Sequence, residues 1–391
     1  MVIPADWKEV RLGEICELSL AASKKSRSDG RGRYIIADMG SVSKDGSFLT
    51  HKTTDVRDDV LRTGDLVMPK DDIGGGQIIG KAVLVDEDER YVLGDHVYRL
   101  RLSDGCPAFV RYGINSYKVN IQLRSKVVGS AQLGLGRRAV LEQPISFPPL
   151  KEQEAISEAL SDANAAIESL DALIAKKRDV KQATMQQLLA GRTRLPGFTA
   201  DWKEVRLGEI CELSLAASKK SRSDGRGRYI IADMGSVSKD GSFLTHKTTD
   251  VRDDVLRTGD LVMPKDDIGG GQIIGKAVLV DEDERYVLGD HVYRLRLSDG
   301  CPAFVRYGIN SYKVNIQLRS KVVGSAQLGL GRRAVLEQPI SFPPLKEQEA
   351  IAEVLSVMDD ELEALTEQVS KLRMVKEGMM QDLLTGKVRL V

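Results

Sequence analysis

The chain is 391 residues long, 42% hydrophobic and 29% charged, with 57 Lys and Arg set against 57 Asp and Glu. That is material for two or three domains with real cores, and it excludes a disordered or fibrous chain. A formal net charge of zero also excludes a global basic field, so any binding of nucleic acid must rest on local patches. The four cysteines, Cys16, Cys106, Cys211 and Cys301, form no C-x-x-C pair. The start Met-Val-Ile-Pro-Ala-Asp-Trp has neither a basic n-region nor an apolar h-region, which points to reduced thiols in a cytoplasmic protein. No run of eighteen apolar residues is present to span a membrane.

In chain order, the dominant feature is repetition. Ala5 through Ile156 returns letter for letter as Ala200 through Ile351, an offset of 200 − 5 = 195. So long a period is a duplicated domain and not a solenoid. The copies drift only afterwards, Ser157 standing against Ala352 and Ala159 against Val354. The organisation expected is a first head over residues 1–147, a long helix over 148–192, a linker and second head over 193–342, and a second long helix over 343–391.

Each head reads as α+β. Tyr34–Ala37, Asp65–Met68, Ile78–Val85 and His96–Leu102 are strand-like runs. Ser28-Asp29-Gly30, Lys44-Asp45-Gly46, Thr63-Gly64-Asp65 and Ser103-Asp104-Gly105 supply turn chemistry between and around them. A helical piece is expected around Pro107 to Lys126, where Phe109, Tyr112, Ile114, Tyr117 and Ile121 recur on apolar faces.

Pro148-Pro149-Leu150-Lys151-Glu152-Gln153-Glu154, repeated from Pro343, opens a run of roughly forty proline-free residues, ~60 Å if helical. The prolines fit just inside a helix start, and Glu152 and Glu154 suit the positive end of its dipole. Gly191 and Gly386 fit the far ends. Apolar residues return at steps of four and three: Ile156, Leu160, Ala163, Ile167, Leu170 and Ile174 in the first run, which then meets Lys177. The second run has Ile351, Leu355, Met358, Leu362, Leu365, Val369 and Leu372. The first helix carries Ala163 and Ala166, the second Met358 and Leu362, so antiparallel pairing of the two would interlock small with large. Packing of each seam on its own head, or pairing between two chains, are the competing uses.

No catalytic constellation emerges. Gly75 to Lys81 has the G-x-x-x-x-G-K spacing, yet Ala82 stands where a hydroxyl would hold Mg²⁺, and the run continues as a strand without a helix N-terminus to receive phosphate. His51, His96, His246 and His291 lack metal-ligand spacing, and His96, beside Asp95, suits a structural role. Neither a G-x-S-x-G nucleophile nor an N/D-P-P-aromatic methyltransferase motif is present. The expectation is no catalytic residue, no metal and no cofactor bound by this chain.

Basic clusters are more telling. Lys24, Lys25, Arg27, Arg31 and Arg33 share a glycine-containing loop of the kind that follows a phosphate backbone. Lys70, Gln77, Ser130 and Gln132 are candidates for base edges, with Arg137 and Arg138 nearby. The copies are Lys219, Lys220, Arg222, Arg226, Arg228, Lys265, Gln272, Ser325, Gln327, Arg332 and Arg333.

The pattern resembles the specificity (S) subunit of Type I restriction-modification enzymes. Trp7 with Val10–Ile15, Leu61–Val67, Ile79–Ala82, Gly129–Gln132, Pro144–Gln153 and Leu188–Phe198 carry the resemblance, which spans both repeats. It implies a non-catalytic DNA reader with two target recognition domains alternating with two long antiparallel helices. It implies as partners double-stranded DNA, two adenine-N6 methyltransferase (M) subunits holding S-adenosylmethionine, and restriction (R) subunits driven by ATP with Mg²⁺. Such subunits normally carry two different recognition domains; here the two are the same. With antiparallel helices, identical heads should read a gapped palindrome. A Type IIB-like specificity subunit and a non-DNA structural or adaptor protein are the alternatives.

Overall fold

The computed structural model describes residues 4–390 apart from 22–27, 29, 45, 50–51, 73–76, 130–132, 217–224, 239–240, 245–246, 268–271 and 325–327. In the first head the elements are β1 Lys8–Arg11, α1 Leu12–Ile15, β2 Cys16–Ser19, β3 Tyr34–Ala37, β4 Thr53–Thr54, β5 Leu66–Pro69, β6 Asp71–Asp72 and β7 Val83–Leu84. They continue as β8 Tyr91–Leu93, β9 Val97–Leu102, α2 Pro107–Asn115, α3 Tyr117–Ser125, β10 Leu133–Gly134, α4 Arg137–Leu141 and β11 Pro144–Phe147, and the long helix α5 covers Leu150–Leu188. The second head repeats every element 195 residues on, as β12–β22 and α6–α9 between Lys203 and Phe342, with α8 at Tyr312–Ser320; α10 covers Leu345–Leu383.

The head is α+β. Its main sheet has the order β2-β9-β5-β7, antiparallel throughout. A second sheet, β4-β3-β8, joins β3 to β8 in parallel. Between the main sheet and α2 and α3 lies the core, including Leu12, Leu66, Met68, Leu100, Phe109 and Leu123, each 1% exposed or less. Burying side chains of this size is the main stabilising force on each head.

Three local expectations give way. The strand expected over Ile78–Val85 is confined to Val83–Leu84, because Gly80 takes φ +71° and the Lys81 N–H donates to the Ile78 carbonyl at 3.1 Å, closing a turn. The single helix expected from Pro107 breaks at Ser116, whose ψ of 148° leaves the helical region while its hydroxyl accepts from the Val119 N–H and caps α3. The prolines at 148–149 precede α5 rather than opening it, and the Pro149 carbonyl accepts from Glu152 and Gln153. At the far end Gly191, φ +66°, donates to Leu188 and Arg192 to Gln187, the paired bonds of a glycine C-cap.

The chain divides into two compact units: Met1–Asp171 with Glu367–Val391, and Ala172–Thr366. In the first unit Ile156 and Leu160 of α5 enter the head core, which Leu383 and Leu384 of α10 also join. In the second, Ile351 and Leu355 of α10 enter the core with Met185, Leu188 and Leu189 of α5, and Met358 packs against it. The opening of each seam thus serves its own head. Beyond those cores, Ile167, Ile174 and Val369 are buried, whereas Leu170, Leu362, Leu365 and Leu372 are half-buried. Within the second unit Lys177 pairs with Glu361 at 2.5 Å and Lys181 pairs with Asp359; within the first, Arg373 pairs with Asp171 at 2.7 Å. These ladders run in antiparallel sense.

Candidate nucleic-acid interface

The strand pair β6-β10 organises the candidate base-reading region, since Asp71 and Asp72 pair with Gly134 and Leu133. Lys70 is fixed on both sides: its N–H donates to the His96 carbonyl at 3.0 Å, and its carbonyl accepts from Leu135 at 2.7 Å. The Lys70 ammonium donates to Asp71 at 2.6 Å, and His96 Nδ1 lies 2.6 Å from the same carboxylate oxygen. Burial pushes the Asp71 carboxyl up, but the bonds from Lys70 and His96 outweigh it and hold the group below its usual value. His96 stands just before β9, not within a strand, with φ +60° and a side chain 45% exposed. Lys265, Asp266 and His291 reproduce the cluster in the second head.

Gln77 and Gln272 are exposed on the turn that follows residues 73–76 and its copy. Arg31 and Arg33, like Arg226 and Arg228, are exposed on the approach to the second sheet. Gly32 between them is required by contact, since a Cβ there would lie 2.1 Å from the Thr54 backbone; its N–H donates to Thr53 Oγ1 and that of Arg33 to Asp55. The Arg33 guanidinium lies 5.5 Å from the centre of the Tyr34 ring. Arg137 and Arg332 are exposed, and Arg138 and Arg333 pair with Glu142 and Glu337 at 2.7 Å. Lys24, Lys25, Arg27, Ser130, Gln132, Lys219, Lys220, Arg222, Ser325 and Gln327 lie outside the described residues. The structure therefore brings Lys70 together with His96, which the sequence suits to a structural role, and leaves Arg31 and Arg33 apart from them, on the segment that leads into β3.

A second constellation went unread in the sequence. Glu152, with no exposed surface, accepts from Trp7 Nε1 at 2.9 Å and from both Nε and Nη2 of Arg389. Arg389 also forks onto Asp6 at 3.0 and 2.7 Å and lies 5.6 Å from the centre of the Trp7 indole. The hydrogen bonds from Arg389 are the chief reason the Asp6 carboxyl titrates low. In the second unit Glu347 receives Trp202 at 3.0 Å and Arg194 at 2.6 and 2.8 Å. Next in sequence, Gln153 accepts from the Cys106 N–H at 2.9 Å and donates to the Pro148 carbonyl at 2.8 Å, tying α5 to the start of α2. Among the described residues no group of three or more His, Cys, Asp or Glu is placed to hold a metal ion, and no helix is long and apolar enough to cross a membrane.

The chain is similar to known proteins over nearly its whole length. The family model described as Type I restriction modification DNA specificity domain matches residues 4–176 and again 199–371. The Type I restriction enzyme MjaVIII specificity subunit of Methanocaldococcus jannaschii is 22% identical over 423 residues, covering 99% of this chain and 94% of its own. The crystal structure of a Type-I restriction-modification system S subunit from M. genitalium superposes with a TM-score of 0.65 at 15% identity, over 97% of this chain and 96% of that one. A chain from a structural study of complex assembly and conformational transition of the type I R-M system gives a TM-score of 0.57 at 17% identity, over 99% and 100% of the two chains.

Proposed function

Because the chain belongs to the Type I restriction modification DNA specificity domain family, matched once in each half, we propose that each head reads one half of a bipartite DNA site on behalf of partner enzymes. The observation that carries this reading is the identity of the two family domains from Ala5 to Ile156 and from Ala200 to Ile351. Identical heads present identical donors and acceptors, so they select identical half-sites. The helices α5 and α10 run antiparallel where they meet within each unit, which favours inverted half-sites, a gapped palindrome.

In this reading the chain supplies recognition and no bond-making step. Two adenine-N6 methyltransferase subunits bring S-adenosylmethionine, and restriction subunits, where they join, bring ATP and Mg²⁺. Support for docking on the helices comes from apolar side chains left in solvent along α10: Val357 is 61% exposed, Met374 64% and Val375 56%. Met374 and Val375, adjacent in sequence, together expose an apolar surface that a partner would cover.

The test is reconstitution. The tagged full chain, co-expressed with an adenine-N6 methyltransferase subunit of a Type I system, is expected to co-purify with it and to confer methyl transfer from labelled S-adenosylmethionine to duplex DNA. Either component alone should give no transfer. Methylation by this chain alone, or a chain that neither binds the methyltransferase nor alters its activity, would contradict the proposal.

A further inference from the structure

Charge in the head is segregated. From Gly105 to Leu141 there are six cations, Arg111, Lys118, Arg124, Lys126, Arg137 and Arg138, and no Asp or Glu; Gly300 to Leu336 repeats this. The densest acidic run of the head, Asp86-Glu87-Asp88-Glu89, lies in an exposed turn of its own. A neutral chain can attract a polyanion only through such a one-signed surface.

The helix α3 displays that surface. Val119, Asn120 and Leu123 turn inward, while Tyr117, Lys118, Ile121, Arg124 and Ser125 are exposed. At the helical period the five outward residues fall within an arc of about 120°. Tyr117 is 79% exposed and its copy Tyr312 64%. Three of the six cations are already engaged: Arg111 lies over the Tyr112 ring at 4.1 Å, Lys126 donates to Gln143 at 2.9 Å, and Arg138 pairs with Glu142. The side chains of Lys118, Arg124 and Arg137 make no hydrogen bond or ion pair among the described residues.

Position supports the same use. Gly80, on the turn that carries Gln77, backs onto α3 so closely that a Cβ there would stand 3.3 Å from Leu123 Cβ. Past the exit of α3, Val128 exchanges backbone hydrogen bonds of 2.9 and 2.8 Å with Gly134 of β10. The inward face of α3 therefore packs on the turn that carries Gln77, and its exit leads to the strand pair β6-β10 beside Lys70, so the helix stands next to both.

We propose that this face, and that of α8 in the second head, grips the phosphate backbone of duplex DNA, with Lys118 and Arg124 (Lys313 and Arg319) as its cations and Tyr117 (Tyr312) as a hydroxyl donor. The inference rests on the DNA-reading function proposed above and assigns it a surface. DNA is favoured over a protein partner because the run from Gly105 to Leu141 carries six cations and no Asp or Glu, a one-signed surface that complements a polyanion.

The test is a salt titration of the full chain on a mixed-sequence duplex, comparing wild type with the fourfold variant Lys118→Gln, Arg124→Gln, Lys313→Gln, Arg319→Gln. Each lost contact is expected to flatten the slope of log K against log salt by about 0.9, hence roughly 3.6 for all four. The charge-keeping set Lys118→Arg, Arg124→Lys, Lys313→Arg, Arg319→Lys is expected to retain the wild-type slope, separating lost charge from lost fold. A Gln variant with the wild-type slope and affinity overturns this surface and leaves the DNA-reading function standing. If that variant also stops co-purifying with the methyltransferase subunit, the face is a protein docking site instead. A wild-type chain with no salt-dependent duplex binding overturns the DNA-reading function itself.

Discussion

Glu347 is a carboxylate without exposed surface, and Arg194 with Trp202 supplies its hydrogen bonds. Removing one member of such a buried pair leaves an uncompensated charge, so Arg194→Ala is expected to destabilise the chain by about 3 kcal/mol. Urea unfolding followed by Trp fluorescence measures this. Asp71 gives a second expectation. Its carboxyl titrates lower folded than unfolded, so its contribution is present above the unfolded value of 3.8 and is lost as pH falls through the lower folded value. The double variant Asp71→Asn, Asp266→Asn should therefore lose less melting temperature than wild type between pH 5 and pH 3. At Cys16 and Cys211 burial pushes the thiols up to about 11. Both should resist alkylation at pH 8, while the half-exposed Cys106 and Cys301 react first, as peptide mapping would show. Little of this was legible in the sequence. Glu152 stands in an evident motif, but its partner Arg389 is 237 residues away, and only the fold brings them together.

Among the elements, the long helices were the most legible, because a forty-residue apolar period has few other meanings. What periodicity could not give was the division of labour along the seam: Ile156 and Leu160 look like Ile167 and Ile174 in sequence, yet the first pair completes a head core. Short strands were least legible. β6 and β10 have two residues each and owe their existence to pairing across more than sixty residues. The break between α2 and α3 was readable in principle, since Ser116 is a good N-cap set inside an apolar run. If helix length sets the gap between half-sites, inserting four residues into each of α5 and α10 should lengthen the gap by about 6 Å, roughly two base pairs, without changing the half-sites. Mapping methylated adenines with the lengthened chain checks this, and an unaltered gap would count against it.

At the scale of the whole molecule, the two halves share one head sequence and differ in their helices. One place where the difference reaches the heads is the tyrosine of α2 and its copy, which face different residues of the long helices. Tyr112 accepts a hydrogen bond from Asn164 at 2.7 Å, whereas Tyr307 donates to Asp359 at 2.6 Å, a carboxylate that also pairs with Lys181 and Arg306. Burial pushes the Asp359 carboxyl up, yet the bonds from Lys181 and Tyr307 win and hold it below its usual value. None of these residues lies in the β6-β10 region, where Lys265, Asp266 and His291 reproduce the contacts of Lys70, Asp71 and His96. The most direct measurement is the position of methylated adenines in DNA from cells expressing this chain with its methyltransferase subunit. The account predicts one motif with two identical half-sites in inverted orientation, separated by a fixed gap. Two different half-sites, in a motif that is not its own reverse complement, would contradict it.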